Sequence, residues 1–218
     1  MSDVRRISDG SVVLRDVAES DGEAIFEFLT SDPDIARWTR IPWPYTRAHL
    51  HDFMALAGRA RRARSDVVLA IADPDDDRFL GCIGLHRIGA RPVPRSAMLP
   101  DEIGYWIAQE ARGRGLVTQA VRLVSAYALG PLGVEHVNLQ TKVGNLASQR
   151  VAEKAGYRYV GRVSAIEVDD DTSDHDRFAM TLDDYERANG PIGRTACLWD
   201  AEGAPVIRPS PSNPASVP

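Results

Sequence analysis

Cysteine is nearly missing from this chain: two residues in 218, Cys82 and Cys197, far apart in sequence. Such a pair builds no disulfide framework, so a reduced, cytoplasmic setting is expected. Long apolar runs are missing too. Nothing approaches the roughly 18 residues of a membrane span, and MSDVRRISDG has no apolar stretch behind its arginines, so neither an anchor nor a signal peptide is expected. Positive charge is not in excess. A net charge of −5 and a pI near 5.5 argue against a general nucleic-acid binder. No internal repeat is visible. Two common phosphate loops are absent as well: the dinucleotide fingerprint needs a third glycine where Thr118 stands, and no Gly-Lys-Ser/Thr run follows a four-residue gap.

What is present is the composition of a globular domain, 44% hydrophobic and 26% charged, long enough to bury a sizeable core. Val12–Asp16 reads as a strand. Ser20 followed by Glu23 reads as a capping box opening a helix to about Leu29. A short helical piece is expected over 32–40, ended by Pro42 and Pro44, and Thr46 is expected to cap a helix reaching about Arg64. Val67–Ala72 and Phe79–Ile88 form a hairpin around DPDDD. A loop over 90–101 leads to a strand at Glu102, followed by a helix over Leu116–Leu129 and a strand over His136–Val143. A helix over Asn145–Ala155 and a strand pair over Arg158–Val168 and Asp176–Leu182 complete the series. The order β-α-α-β-β-β-α-β-α-β-β describes an α/β (α+β) fold around one sheet, mostly antiparallel early and partly parallel in the middle. Residues 1–188 are expected to form the domain. Residues 189–218, rich in proline and serine, read as a mobile or loosely docked tail, with a small hairpin around Glu202-Gly203 as the alternative.

The most informative stretch is EARGRGLVTQA, residues 110–120. A strand, EIGYWIA, runs into an arginine–glycine turn that opens directly into a helix. The first N–H groups of a helix have no intrahelical acceptors, and the macrodipole adds roughly half a positive charge there. Gly113 and Gly115 let an anion approach the backbone, and Arg112 and Arg114 add charge. The chemistry suits a pyrophosphate.

After one further strand comes VGNLASQRVAEKAGY, with Asn145 and Ser148 three apart at a helix start. The succession EIGYWI, RGRGLVTQA, then Asn145 and Ser148 ahead of EKAGY, resembles the GNAT superfamily of acetyl-CoA-dependent N-acetyltransferases. Within it, the chain is similar to the branch that acetylates N-terminal amines of ribosomal proteins, and to small-molecule resistance enzymes. The resemblance spans about Val12 to Leu182. It implies a mixed, mostly antiparallel sheet flanked by helices and splayed between its two central strands, with acetyl-CoA as co-substrate. Tyr105, Trp106, Ile107, Arg112, Gly113, Arg114, Gly115, Leu116, Val117, Thr118, Asn145 and Ser148 would hold the coenzyme. Glu110 departs from the family's Gln/Arg at the head of the phosphate motif, and a carboxylate there should face away from the anion.

The resemblance also implies direct transfer. An alkylamine of pKa about 10 must lose a proton before it attacks, and Glu102 stands where relatives keep a base. Ser148 falls near the leaving sulfur. The tyrosine that many relatives use four residues later is replaced by Ala152. A backbone N–H near Tyr105–Ile107 would stabilise the carbonyl oxygen. On the acceptor side, Trp38, Trp43 and Tyr45 would wall a pocket, and Asp170 in DDDTSDHD would attract a cationic amine or basic peptide. The acceptor, a small-molecule amine or a peptide N-terminus, is open in this reading. No metal, nucleic-acid or membrane partner is expected, and a homodimer stands beside the monomer. The alternative function is a CoA-binding regulatory or sensor protein with little turnover.

Overall fold

The computed structural model describes residues 6–63, 65–92, 98–165, 173–192, 197–199 and 205–207. Ten strands form one sheet in the order β10-β9-β1-β2-β3-β4-β5-β6-β8-β7. They are β1 (Arg6–Ser8), β2 (Val13–Asp16), β3 (Val67–Ala72), β4 (Phe79–His86), β5 (Glu102–Ile107), β6 (His136–Lys142), β7 (Arg158–Val163), β8 (His175–Thr181), β9 (Cys197–Trp199) and β10 (Pro205–Ile207). Every neighbouring pair is antiparallel except β5 and β6. That parallel pair is joined over a crossover containing α4 (Leu116–Leu129), as parallel neighbours require.

Alternation along the strands divides the core in two. Leu14, Leu69, Ile71, Ile83, Leu85, Ile103, Val137, Leu139, Phe178 and Met180 face α4, α5 (Leu146–Ala155) and α6 (Leu182–Asn189). Ala70, Phe79, Cys82 and Trp106 face the other way, toward Ile25 and Leu29 of α1 (Gly22–Ser31), Ile35 of α2 (Pro33–Trp38) and the apolar side of α3 (Arg47–Ala63). Leu14, Ile71, Leu80 and Met180 are fully buried, each contributing about 1.5–3 kcal/mol by leaving water.

Several expectations are corrected. Ser20 caps nothing. A 3-10 turn at Glu19–Asp21 precedes α1, and the buried Asp21 carboxylate accepts from the Ala18 N–H at 2.8 Å while gripping Arg15 at 2.8 and 2.9 Å. Glu23 points outward to Arg47. Thr46 does cap α3: its hydroxyl accepts from the His49 N–H, and His49 Nδ1 accepts from the Thr46 N–H in return. Two elements lie outside the series expected from sequence. Arg6–Ser8 forms β1, and Leu182–Asn189 forms α6, opened by a reciprocal cap between Thr181 and Asp184. Within the segment read as a tail, β9 pairs with β1 and with β10, so this hairpin lengthens the sheet.

Candidate active site

The turn after β5 has the expected form. Gly113 and Gly115 adopt φ of +75° and +81°, which side chains resist. A Cβ at either would meet nothing within 4 Å, so the space above the turn is open. Gly115 is the N-cap of α4, and the first helical bond runs from the Gln119 N–H to its carbonyl. Six consecutive backbone N–H groups, 113 to 118, therefore find no acceptor among the described residues. This cradle fits the pyrophosphate of CoA.

The flanking charges are paired off. Glu110 does face away, bonded to Arg78 at 3.1 Å. Arg114 bonds Asp73 at 3.1 Å, and Arg112 pairs with Asp32, the cap of α2. Asp73 is held below the usual carboxylate range by the Asp75 N–H and by Arg114. The arginines thus tie the loop to its surroundings, and the groups left open at the turn are mainly backbone N–H groups.

The splay is visible in the hydrogen-bond register. Although β5 runs to Ile107 and β6 to Lys142, the two pair only at Glu102↔Asn138 and Ile103↔Leu139. The Ala108 N–H bonds the Leu80 carbonyl on β4 at 2.8 Å, so even-numbered residues of β5 face β4. Tyr105 and Ile107 consequently aim their N–H groups into the gap between β5 and β6. Trp106 does not: its backbone faces β4, and its side chain is buried against Phe79 at 5.7 Å. That corrects its expected place beside the coenzyme.

On the α4–α5 face of this gap, the Tyr105 hydroxyl lies 2.7 Å from Ser148 Oγ. Burial pushes the Tyr105 phenol up to about 12, against the opposing pull of Ser148, so it stays protonated at neutral pH. Ala152 is fully buried, and the nearest phenol to Ser148 comes from the strand instead. Asn145 caps α5, its carbonyl oxygen accepting from the Ser148 N–H at 3.1 Å.

The opposite face of the same strands is polar. Glu102 is buried, its Oε2 accepting from the Leu99 N–H at 2.7 Å and from Gln140 Nε2 at 2.6 Å, with Arg40 at 3.5 Å from Oε1. Gln140 in turn accepts from Arg177 at 3.1 Å. Directly across from Glu102 stands His86, its Nδ1 3.1 Å from Asp66. Sequence reading passed over His86, because nothing local marks a partner twenty residues away across a hairpin.

The four expected acceptor residues fare differently. Trp38 packs its ring against Gly144 at the β6–α5 turn and carries Arg37 over it at 4.7 Å. Lys142 bonds the Arg37 and Thr39 carbonyls, fixing the end of α2 beside the splay. Trp43 is half-exposed and lines a shallow depression with Pro33, Ala36, Arg37 and Ile41. Tyr45 is a core residue instead, buried against Phe26 and His49, with its phenol pushed up to about 12 by burial. Asp170 lies outside the described residues. Its neighbour Asp176 is buried and clamped by Arg162 and Gln149, so it serves the join of α5 to the sheet. Cys82 is buried, and burial pushes its thiol far up, so it offers no thiolate.

A sheet splayed after two parallel rungs, with an open N–H cradle at the next helix start, defines a class. Residues 11–158 match the family described as the acetyltransferase (GNAT) domain, and the chain belongs to it. It is 33% identical over 113 residues to "Probable N-acetyltransferase YjcK" of Bacillus subtilis (strain 168), covering 51% of this chain and 60% of that one. It is 38% identical over 87 residues to "Putative ribosomal N-acetyltransferase YdaF" of the same organism, covering 40% and 44%. The matches thus span less than two thirds of either relative. Among solved structures, Mycobacterium smegmatis RimJ in complex with CoA-disulfide superposes with a TM-score of 0.66 at 21% identity, covering 83% of this chain and 86% of that one. Among the described residues, no helix is long and apolar enough to cross a membrane.

Proposed function

We propose that this chain is an N-acetyltransferase that moves the acetyl group of acetyl-CoA directly to a primary amine. The observation that carries this reading is the row of six N–H groups, 113 to 118, without a partner among the described residues and opening beside the gap between β5 and β6. Acetyl-CoA would supply the activated thioester. The N–H cradle would hold its pyrophosphate, and Asn145 and the Tyr105 and Ile107 N–H groups would line its pantetheine arm. One of those two N–H groups would bond the thioester oxygen as negative charge grows there. Ser148, oriented by Tyr105, would sit at the leaving sulfur. A thiolate is a tolerable leaving group, so a relayed proton suffices.

The cradle and Ser148 occupy the α4–α5 side, which leaves the opposite face to the acceptor. Glu102 supplies negative charge there for an ammonium group, and sequence reading makes it the base as well. Trp38 and Trp43, on and just beyond α2, would border the acceptor's path. The name "Putative ribosomal N-acetyltransferase YdaF", together with the sequence's resemblance to the branch that acetylates N-terminal amines of ribosomal proteins, makes peptide N-termini the first acceptors to try. The test is CoA release from acetyl-CoA with N-terminal peptides, polyamines and aminated antibiotics. Acceleration by one class, with the acetylated product identified by mass, supports the reading. Tight CoA binding without acceleration by any amine would leave a CoA sensor.

A further inference from the structure

We propose that His86, held by Asp66, takes the proton from the acceptor amine, while Glu102 binds that amine; this rests on the transferase reading above. His86 and Glu102 are cross-strand partners on the acceptor face, beside the start of the splay. The His86 ring folds back along β4. A Cβ built on Gly84 would lie 2.4 Å from its Nε2, and one on Gly104 would lie 3.8 Å away. Two glycines, one on each strand, thus leave the bed on which this imidazole rests. Gly104 directly precedes Tyr105, whose N–H enters the gap, so the ring lies beside the reacting end of the splay.

The tautomer follows from the partner. Asp66, pulled down to about 2 chiefly by its bond to His86, is ionised at neutral pH and can only accept. In the neutral ring Nδ1 must therefore carry the hydrogen, which puts the lone pair on Nε2. Nε2 has no hydrogen-bond partner among the described residues, and the side chain is about one quarter exposed. Asp66 is itself fixed by the Arg87 N–H at 3.2 Å. A carboxylate that orients an imidazole whose far nitrogen is open is the arrangement of an acid–base dyad. Glu102 differs. Two donors fill its Oε2 and Arg40 stands beside Oε1, so it is built as a fixed negative charge. The charged groups around the ring on this face are Asp66 before β3, Glu102 on β5 and Arg40 after α2.

The balance is simple. An ammonium acceptor loses two protons in becoming an amide. One passes to His86 Nε2 before the nitrogen bonds the acyl carbon, and His86 returns it to water. As the carbon–sulfur bond breaks, its electron pair leaves with sulfur, and the second proton ends there through the Ser148 hydroxyl. Asp66 stays ionised throughout, as a positioning residue.

The test compares pH–rate profiles of wild type, His86→Gln, Asp66→Asn and Glu102→Gln with the best amine found. An imidazole base imposes an acid limb between about pH 5 and 8. His86→Gln is expected to lower kcat about a hundredfold and abolish that limb, with CoA affinity by calorimetry unchanged. Asp66→Asn keeps the ring but should lower kcat about tenfold and displace the limb. Glu102→Gln should raise KM for the amine and keep the limb. Nitrogen NMR of the His86 ring gives a readout apart from turnover: protonated Nδ1 in wild type, mixed tautomers in Asp66→Asn. The proposal is overturned if His86→Gln acetylates within twofold of wild type, if the limb vanishes in Glu102→Gln instead, or if wild type carries its ring hydrogen on Nε2. Failure of the wild type to acetylate any amine would sink the transferase reading itself, a separable result.

Discussion

Gly115→Ala tests the cradle, with a control in the turn beyond the other end of the same helix. Gly115 precedes α4 at φ +81°, and Gly133 follows it at φ +65°. A Cβ at either would touch nothing within 4 Å, so each alanine brings backbone strain without a clash. That strain costs about 1–2 kcal/mol for a left-handed residue. In a chain of this size, each kcal/mol lowers Tm by about 2–4 °C, so both variants should melt about 2–8 °C lower. Only Gly115 lies within the run of N–H groups at 113 to 118. Relaxing its backbone toward negative φ turns at least one N–H away from the anion. A hydrogen bond to a charged group is worth about 1.5–3 kcal/mol, which corresponds to roughly a 10- to 150-fold rise in Kd. Calorimetric titration of CoA into both variants reads this directly. Gly133→Ala should bind within twofold of wild type. Equal affinity in all three proteins would refute the backbone cradle, and equal weakening would show that strain alone disturbs the site.

Tyr105→Phe removes the phenol bonded to Ser148 but keeps the packed ring; kcat should fall several-fold with Kd for CoA unchanged, as stopped-flow and calorimetry would show. Trp43→Ala, at a half-exposed position, should raise KM for the acceptor while changing the unfolding free energy from urea titration by less than about 0.5 kcal/mol. Asp184 predicts a pH effect. Burial pushes it up, but the Thr181 N–H and hydroxyl and the guanidinium groups of Arg158 and Arg187 outweigh burial and hold it well below the usual range. A depressed folded value stabilises fully above the unfolded value near 3.9, and that stability is lost progressively as pH falls from there through the folded value. Urea midpoints of wild type and Asp184→Asn should therefore differ most from pH 5 upward, with the gap narrowing progressively as pH falls below about 4. A constant gap would refute the assignment.

The elements legible in sequence were those whose signals are local. Leu116–Leu129 has a period of 3.6 between Gly115 and Gly130, and the helix occupies those same bounds. Asn145 sits one residue ahead of α5 and caps it as its residue type suggests. The unread helix α6 had a signal too: Thr181 followed by Asp184 is a capping pattern, obscured by its nearness to the tail. Partners across the sheet are another matter. That Glu110 meets Arg78, that His86 meets Asp66, and that Cys197–Trp199 lies against Arg6–Ser8 depend on which strands become neighbours, which periodicity does not encode. Tyr45 shows the same limit. An aromatic between prolines suits a pocket wall or a core equally, and only α1 and α3 closing around it decide.

The missing rungs between β5 and β6 have a consequence for what can lie between them. After Ile103↔Leu139, the N–H groups of Tyr105 and Ile107 retain the spacing of a strand awaiting its neighbour. An occupant with amides at strand-like intervals completes the ladder, in the manner of β-augmentation. An arm of equal length built from ether or methylene units leaves those donors unmet once water is displaced, at about 1–3 kcal/mol for each. With the coenzyme arm lying there as proposed, the sheet would select by the rhythm of polar groups along its guest, and length alone would not satisfy it.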